Sequence, residues 1–314
     1  MVSSSSIARS ALRIVLEGSW GAFFRRAIMC RETKRERLFV AAQAKKASTV
    51  PLSREGLASL LEDKPSAKTF FVLGSGASIN RLSAANFEEI GANRSVGINT
   101  WPIHSFIPDF YSFECVSWIG DGLDFSRSLG LLHRKDVQKA RPPLVVLRLK
   151  TEFELEQLAG LPEEFKDRLF FYGRVAPATR EVSNLVADLE FLLKSFSRRG
   201  PFVVADSGSS IVRMVALGIS MGYREIVLTG VDLNNAPYFW QENSEYDAAR
   251  SRFPIFSRQV GPTHETLERG RRPFIVTEMV SALAEIIDSR LQGTLFVSSV
   301  ESTLADLLPV YPWR

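Results

Sequence analysis

Two turns rich in glycine and serine have the residue types that hold an anion. The first turn directly follows the apolar run of residues 69–73, and the second precedes an amphipathic helix that starts near residue 210. Glycines permit tight turns, and serine hydroxyls and free amides at a helix start can meet a phosphate or a carboxylate. The residues concerned are Gly74, Ser75, Gly76 and Ser78 in the first turn, and Ser207 and Gly208 in the second. Taken alone, each turn is also explained as an ordinary connection with a helix cap.

A third segment brings a carboxylate toward these turns. The apolar run of residues 225–229 ends in Gly230-Val231-Asp232. Because open parallel sheets bind ligands at the carboxyl ends of their strands, we expect Asp232 to share one sheet edge with both turns. Asp232 can accept a hydrogen bond from a ribose or sugar hydroxyl there, and its alternative role is a loop cap.

His264 is the histidine best placed for proton transfer. It lies in the run Gly-Pro-Thr-His-Glu of residues 261–265, and a loop histidine beside a carboxylate can act as a general base near neutral pH. His133 lies beside Arg134 in a basic stretch, and His104 has no evident partner in the sequence. A lone histidine is more often structural, so the residues by themselves do not predict catalysis.

Several chemistries lack their motifs. No lysine follows the first turn as in a Walker loop, and the third glycine of a dinucleotide fingerprint is missing. Neither an Asp-x-Asp pair, nor metal-ligand spacing, nor a Gly-x-Ser-x-Gly elbow is present. We therefore expect no metal site and no serine acyl transfer. The net charge of +4 without a basic patch also predicts no nucleic-acid partner.

The elements that must position these residues alternate between strands and helices. This alternation predicts an α/β fold with a mostly parallel, Rossmann-like sheet in a single nucleotide-binding domain. The predicted strands are residues 69–73, 95–99, 108–114, 144–147, 169–172, 225–229 and 294–298, and the predicted helices are residues 151–168, 182–195, 210–221 and 278–291.

The chain divides into a helical N-terminal extension, residues 1–66, and the main domain, residues 67–314. Apolar side chains recur at helical spacing up to Ile28, with Arg25 and Arg26 among them, and residues 31–65 read as a linker with one or two short helices. A helix of this kind either lies peripherally on an acidic membrane or packs on the protein. The polar, aromatic and arginine-rich residues 234–275 predict a mobile lid. The two cysteines are too few for a disulfide framework, and no apolar run is long enough to span a bilayer.

The order of the motifs resembles the bacterial sialyltransferases of the Campylobacter and Haemophilus type, glycosyltransferase family 42. The matching elements are the turn of residues 74–79, the run Ile-Asn-Thr-Trp at 98–101, Ser207-Gly208 with the helix and residues 222–232, the loop of residues 261–264, and residues 302–309. The resemblance covers residues 68–312.

The resemblance implies a metal-independent transferase with a GT-A-type variant of the fold, which uses a CMP-activated acidic sugar and no cofactor. It implies His264 as the base that takes the proton of the acceptor hydroxyl. The implied nucleotide-sugar contacts are Gly74, Ser75, Gly76, Ser78, Asn99, Ser207, Gly208, Asp232, Asn234 and Tyr238. The implied setting is the cytoplasm, where a surface glycan such as lipopolysaccharide or capsule is sialylated, and a homo-oligomer is compatible with it. A membrane-bound N-terminal helix would place the protein at the periphery of the inner membrane.

The sequence departs from the family pattern at positions that concern the donor. Ser75 stands for an asparagine, Val204 for an arginine, and Asn234 with Tyr238 or Trp240 for two tyrosines that hold the leaving phosphate. Arginines of the predicted lid are the candidate replacements, namely Arg250, Arg252 and Arg258. Three alternatives therefore stay open: a donor with a Kdo-like acid, a catalytically altered nucleotide-sugar or glycan-binding module, and a pyrophosphokinase-like enzyme that needs magnesium.

Overall fold

A computed structural model of the chain describes ten ranges and a few isolated positions. The ranges are residues 21–53, 66–114, 131–140, 142–147, 163–196, 201–234, 237–241, 243–248, 265–270 and 273–314, with single residues 56, 59, 64, 158 and 161.

The centre of the fold is a parallel β-sheet. Its strands are β1 (Val50–Pro51), β2 (Thr69–Leu73), β3 (Arg94–Ile98), β4 (Phe110–Phe113), β5 (Leu144–Leu147), β6 (Leu169–Val175), β7 (Val203–Ala205), β8 (Glu225–Thr229) and β9 (Thr294–Val297). Among the described residues the strand order is β1-β6-β5-β4-β3-β2-β8-β9, with β7 also paired to β6, and every paired strand runs parallel to its neighbour. The predicted α/β fold with a parallel, Rossmann-like sheet is confirmed.

Helices connect the strands. The α-helices of the described ranges are α1 (Gly21–Lys46), α2 (Ala84–Ala92), α3 (Lys135–Ala140), α4 (Leu185–Phe196), α5 (Ser210–Ser220) and α6 (Val276–Ile286), and α6 continues into a π-helical turn (Ile287–Leu291). Short 3₁₀ helices are Ala77–Arg81, Trp101–Ile103, Leu131–His133, Glu163–Arg168, Val182–Asn184, Ser244–Tyr246, Glu265–Leu267 and Thr303–Asp306.

Both faces of the sheet are buried, which explains the continuous apolar runs of its strands. In β2, Phe70 and Val72 belong to one apolar cluster with α4, α5 and α6, whereas Phe71 and Leu73 belong to a second cluster on the opposite face. Successive side chains of a strand point to opposite faces, so a strand covered on both sides carries no polar alternation.

The N-terminal part of the described chain differs from its prediction. Residues 31–46 are not a linker, because they belong to the 26-residue helix α1, which packs against β6. Gly173 of β6 permits this contact, since a Cβ there would lie 2.5 Å from Cγ of Glu36. Strand β1 then pairs with β6. The sequence of α1 concealed this packing because its buried residues include arginine, threonine, glutamate and glutamine beside Met29 and Val40.

Arg25 is the clearest polar residue on the buried face of α1. Its Nε donates to Oδ1 of Asp188 in α4 at 3.0 Å, and its Nη2 donates to Oδ1 of Asn184 at 3.1 Å. Both partners in the ion pair are almost fully buried. The grouping of Arg25 with the residues of a membrane-facing surface is therefore wrong, whereas its neighbour Arg26 is exposed.

Candidate functional site

The carboxyl ends of the parallel strands bring most of the predicted site residues to one edge. The turn after β2 meets the segment after β3, where Oγ of Ser75 and Oγ1 of Thr100 lie 3.3 Å apart. Asn99, which follows β3 and has a φ of 53°, donates from Nδ2 to Oγ of Ser210 at the start of α5, at 3.3 Å. The edge thus joins the β2 turn, the end of β3 and the start of α5 in one hydrogen-bonded set.

The glycines of the first turn allow its backbone to lie against the end of strand β8 and the residue that follows it. The amide of Gly74 donates to the carbonyl oxygen of Thr229, and the amide of Gly76 to that of Gly230, both at 2.7 Å. A Cβ on Gly74 would lie 2.5 Å from the carbonyl oxygen of Gly230, and a Cβ on Gly76 would overlap the carboxylate of Asp232. The expectation that these glycine amides meet an anion is therefore wrong, because the neighbouring strand already accepts from them.

Asp232 holds the same turn from the end of β8. Its Oδ2 accepts from the amide of Ser78 at 2.9 Å, and its Oδ1 accepts from Oγ of Ser78 at 2.5 Å. Both residues are buried. Asp232 therefore stabilises the loop after β2, as in the loop-cap role that the sequence left open.

The second turn is organised by Asp206 in a similar way. Its Oδ1 accepts from the amides of Gly208 at 2.7 Å and Ser209 at 3.1 Å, and Gly208 has the positive φ of 91° that favours glycine. These two amides are consequently occupied by a carboxylate of the protein itself. Ser207, which lies between Asp206 and Gly208 in the chain, is buried.

A charged cluster that the sequence reading missed lies behind this turn. Arg213 of α5 is fully buried, and it donates from Nη1 to Oδ1 of Asp206 at 2.9 Å and from Nη2 to the carboxylate of Glu114, which follows β4. Nη1 of Arg174 in β6 donates to Oδ2 of Asp206 at 2.6 Å. Oγ of Ser210 completes the cluster by donating to Oε1 of Glu114 at 2.8 Å.

One sequence signal could have revealed this cluster. Arg213 lies within the apolar face of α5, and a buried arginine requires paired carboxylates. Glu114 and Asp206 each follow a buried strand, so both reach the same edge as α5 begins.

The protonation states of the cluster follow from this pairing. Burial alone would raise the pKa of Asp206, but the guanidinium groups of Arg213 and Arg174 hold its pKa below the ordinary value. Burial opposes the charge of Arg213, yet Asp206 and Glu114 raise its pKa. Two cations therefore face two carboxylates, with no net charge left over. Of the two cations, Arg174 has access to solvent, since its side chain is 30% exposed, whereas that of Arg213 is fully buried.

Two further predicted contacts lie near the first turn. Asn234 donates from Nδ2 to the carbonyl oxygen of Glu301 at 3.0 Å. Tyr238 forms a backbone bridge with Gly76, and its ring stacks on Trp240 at a centroid distance of 4.8 Å. Tyr238 thus approaches the glycine turn through its backbone.

The predicted base His264 and half of the predicted lid lie outside the described residues. That half includes the three candidate arginines Arg250, Arg252 and Arg258. Within the described part of the chain, no three His, Cys, Asp or Glu side chains form a group suited to a metal ion.

Comparison with known proteins gives structural neighbours alone. No protein-family profile matches the chain, and no curated protein matches it by sequence. It is similar to the sialyltransferase CstII from Campylobacter jejuni in complex with the substrate analogue cytidine-5'-monophosphate, at 14% identity over 78% of this chain and 85% of that chain, with a TM-score of 0.42. It is also similar to CstII in complex with CMP-3FNeuAc, at 14% identity, 78% and 87% coverage and a TM-score of 0.45.

A third similar structure is an alpha-2,3-sialyltransferase from Campylobacter jejuni in apo form, at 14% identity, 78% and 80% coverage and a TM-score of 0.39. These solved proteins are sialyltransferases, the group that the motif order of this chain resembles. At these identities and TM-scores, the likeness concerns the fold alone and assigns no activity to this chain.

Proposed function

We propose that this protein is a glycosyltransferase that moves sialic acid or a similar acidic sugar from a CMP-sugar to a hydroxyl of a surface glycan. The observation that carries the proposal lies at the carboxyl edge of the sheet, where Ser75 contacts Thr100 and the adjacent Asn99 contacts Ser210. The motifs that resemble a sialyltransferase are far apart in sequence, and these contacts bring three of them together. The edge of a parallel sheet is also where such folds bind nucleotides.

The roles within the site follow from which groups remain accessible. Asp232, Ser78 and the glycines Gly74, Gly76 and Gly208 shape the two turns, while the side chains of Ser75, Asn99 and Ser207 supply polar contacts for the nucleotide. Because the backbone amides of both turns are largely occupied, recognition here depends on hydroxyl and amide side chains. Asn234 and Tyr238 would border the donor from the segment after β8.

The charge of the donor needs a cationic partner. A CMP-activated acidic sugar carries a phosphate and a carboxylate, whereas the cluster around Arg213 is neutral overall. Arg174 can direct its exposed face toward one anionic group, and the arginines of residues 250–258 would supply the remaining positive charge. In this proposal His264 takes the proton from the acceptor hydroxyl as the sugar departs from CMP, and no metal ion takes part.

The test is CMP release from CMP-sialic acid and from CMP-Kdo, measured in EDTA for the wild type and for His264→Ala. His133→Ala, at an exposed surface position, is the matched control. Turnover that persists in EDTA, is lost in His264→Ala and is kept in His133→Ala supports the proposal. Turnover that EDTA abolishes would contradict the metal-independent mechanism, and full activity of His264→Ala would remove that residue from the mechanism.

A second candidate function is a nucleotide-sugar or glycan-binding module without turnover. The observation that favours it is that Arg213 and Arg174 already form ion pairs with Glu114 and Asp206, so the cluster at the sheet edge carries no net positive charge. Isothermal titration with CMP separates the two candidates. Measurable binding of CMP without release from either CMP-sugar supports the module.

The exposed face of α1 supports peripheral contact with an acidic membrane. Phe23 and Leu38 are each 65% exposed. The basic residues exposed on this helix are Arg26, Arg31, Lys34, Arg35, Lys45 and Lys46. No helix in the described ranges combines the length and the apolar character needed to cross a bilayer. Exposed aromatics with basic neighbours suit the headgroup region, where each basic residue contributes about 1 kcal/mol near anionic lipid.

Sedimentation with phosphatidylcholine vesicles, prepared with and without phosphatidylglycerol, tests this contact. The wild type should sediment only with the anionic vesicles, and Lys34→Glu combined with Leu38→Asp should abolish sedimentation. Lys139→Glu combined with Ala140→Asp, at two exposed positions of α3, makes the same change of three charges and controls for net charge. Equal sedimentation of all three proteins would contradict the contact.

A further inference from the structure

A cleft of about 420 Å³ lies beside the proposed nucleotide site. One wall is formed by residues that come directly after the glycine turn in the chain and include Asn80. A second wall is formed by residues 104–106, which come shortly after Asn99. The third wall is formed by residues 243–246. The segments after β2 and β3, which both contribute to the proposed site, therefore continue into this cleft. Its volume lies in the usual range of small-molecule sites, about 300 to 1,000 Å³.

Aromatic rings form the apolar part of the cleft. The rings of Phe87 and Phe106 are half-buried, with centroids 5.3 Å apart, and His104 lies 5.1 Å from Phe87. Tyr246 lies 6.3 Å from His104 on the opposite wall. Ring faces arranged in this way offer flat apolar surface to a ligand that is apolar on one side.

Polar groups lie at the rim of the same cleft. Asn80 and Asn243 join two walls through a hydrogen bond of 3.3 Å from Nδ2 of Asn243 to Oδ1 of Asn80. Ser105 and Glu245 are exposed at the rim. Amide, hydroxyl and carboxylate groups together can both donate to and accept from several hydroxyls of one ligand.

The charge of the cleft selects against anions. Among the lining residues that the structure describes, Glu245 is charged and neither lysine nor arginine occurs. His104 is neutral at physiological pH, because burial and then the nearby Arg134 lower its pKa to about 4. Nδ1 of His104 accepts from the amide of Phe106 at 2.9 Å, which leaves the ring proton on Nε2. A ligand with hydroxyls and no negative charge matches these surroundings.

We propose that this cleft binds a neutral pyranose, and that it holds the sugar of the acceptor glycan whose hydroxyl receives the transferred group. A pyranose presents C–H bonds on one face and hydroxyls around its edge, which matches an aromatic floor with a polar rim. The anionic donor is excluded from the cleft by Glu245 and belongs at the sheet edge. This assignment of the acceptor rests on the proposed transferase activity, but the binding of a neutral sugar does not.

Direct binding tests the cleft without turnover. Saturation-transfer difference NMR with methyl β-galactopyranoside and methyl β-glucopyranoside should give sugar signals with the wild type. Ser105→Trp fills the rim from an exposed position and should lower these signals at least fivefold. Ser105→Ala removes one hydroxyl but leaves the cleft open, and should lower them less than twofold. Lys139→Trp, also exposed but on α3, controls for the added indole. Absence of signal for both glycosides with the wild type, or equal signals for Ser105→Trp, would overturn the proposal.

Kinetics then separate the cleft from the proposed function. In Ser105→Trp the KM for the acceptor should rise at least tenfold, while acceptor-independent release of CMP stays within twofold of the wild type. If the wild type binds a glycoside in the cleft but turns over neither CMP-sugar, the transferase fails and the sugar site stands. If CMP-sugars are turned over and Ser105→Trp leaves the acceptor KM unchanged, the transferase stands and the cleft is not its acceptor site.

Discussion

Ser78 donates two hydrogen bonds to the buried carboxylate of Asp232, a residue 154 positions later in the chain. One bond comes from the amide of Ser78 and the other from its hydroxyl. The pair fixes the turn after β2 against the turn after β8, so that two loops of the proposed site form one unit. A disturbance of either residue should therefore reach the donor site through the position of the glycine turn.

Ser78→Ala should lower the free energy of unfolding by about 1 to 3 kcal/mol, because the buried carboxylate of Asp232 loses a donor. Asp232→Asn keeps the shape and one acceptor oxygen, and the double variant completes a cycle. Urea denaturation of all four proteins measures the coupling between the two side chains. A change below about 0.5 kcal/mol in Ser78→Ala would mean that the hydroxyl contributes little to the turn.

Gly76→Ala should destabilise the protein by about 1 to 3 kcal/mol, because the new methyl group overlaps the carboxylate of Asp232. The backbone at Gly76 has a φ of −70°, so strain at this dihedral angle is not the cause. Gly91→Ala in α2 is the matched control, since its methyl group would meet Phe106 at an ordinary 3.8 Å. Equal urea midpoints for the two variants would contradict the close approach of the two turns.

Arg213→Met should cost about 3 to 5 kcal/mol of stability, because Asp206 and Glu114 lose the cation that they enclose. Arg290→Ala removes an exposed ion pair with Glu190 and should change stability little. Thermal and urea denaturation compare the two variants. A small effect of Arg213→Met, equal to that of Arg290→Ala, would show that the buried cluster tolerates the loss of its central charge.

His104 should make stability depend on pH in a defined window. Its pKa is about 4 in the folded protein, below the ordinary 6.5, so the unfolded chain binds more protons between these values. The contribution of His104 to the free energy of unfolding is complete above pH 6.5. It falls by about 3 kcal/mol as the pH decreases to 4 and below, because the neutral side chain must then be protonated. Urea denaturation from pH 4 to 7.5 should show a flatter dependence for His104→Asn than for the wild type.

His133→Gln supplies the control for that series. His133 is exposed in a short 3₁₀ helix, and its replacement should leave the shape of the pH dependence unchanged. A wild-type curve that overlays the His104→Asn curve after a vertical shift would contradict the role of His104.

The regular part of the fold was predictable because each strand is buried on both faces. The strands Leu144–Leu147 and Glu225–Thr229 match their predicted bounds, since continuous apolar runs between turn residues leave little choice. The helix at Ser210–Ser220 was evident from its apolar face and the serines before it. Strand β7 was missed because it has three residues, too few for a pattern to appear.

The sequence predicted where the candidate site residues lie in the fold, but it did not predict which partners they bond to. The expectation that the two turns and Asp232 share one sheet edge is confirmed, because parallel strands carry their following loops to one side. The partners of each group depended on tertiary packing, so the sequence did not reveal that Gly74 and Gly76 donate to β8. The same limit applies to Arg213, whose partners Asp206 and Glu114 come from two other segments.

The ion pair between Arg25 and Asp188 has a consequence for biosynthesis. The ribosome makes α1 before the strand and helix on which it packs, and 163 positions separate the two charged residues. At a usual translation rate of about 5 to 20 residues per second, α1 waits roughly 10 to 30 s for Asp188 to be made. During that interval the face of the nascent helix that includes Arg25, Met29 and Val40 has no docking surface within its own protein. A chaperone or an anionic lipid surface near the exit tunnel would therefore meet α1 before the sheet does.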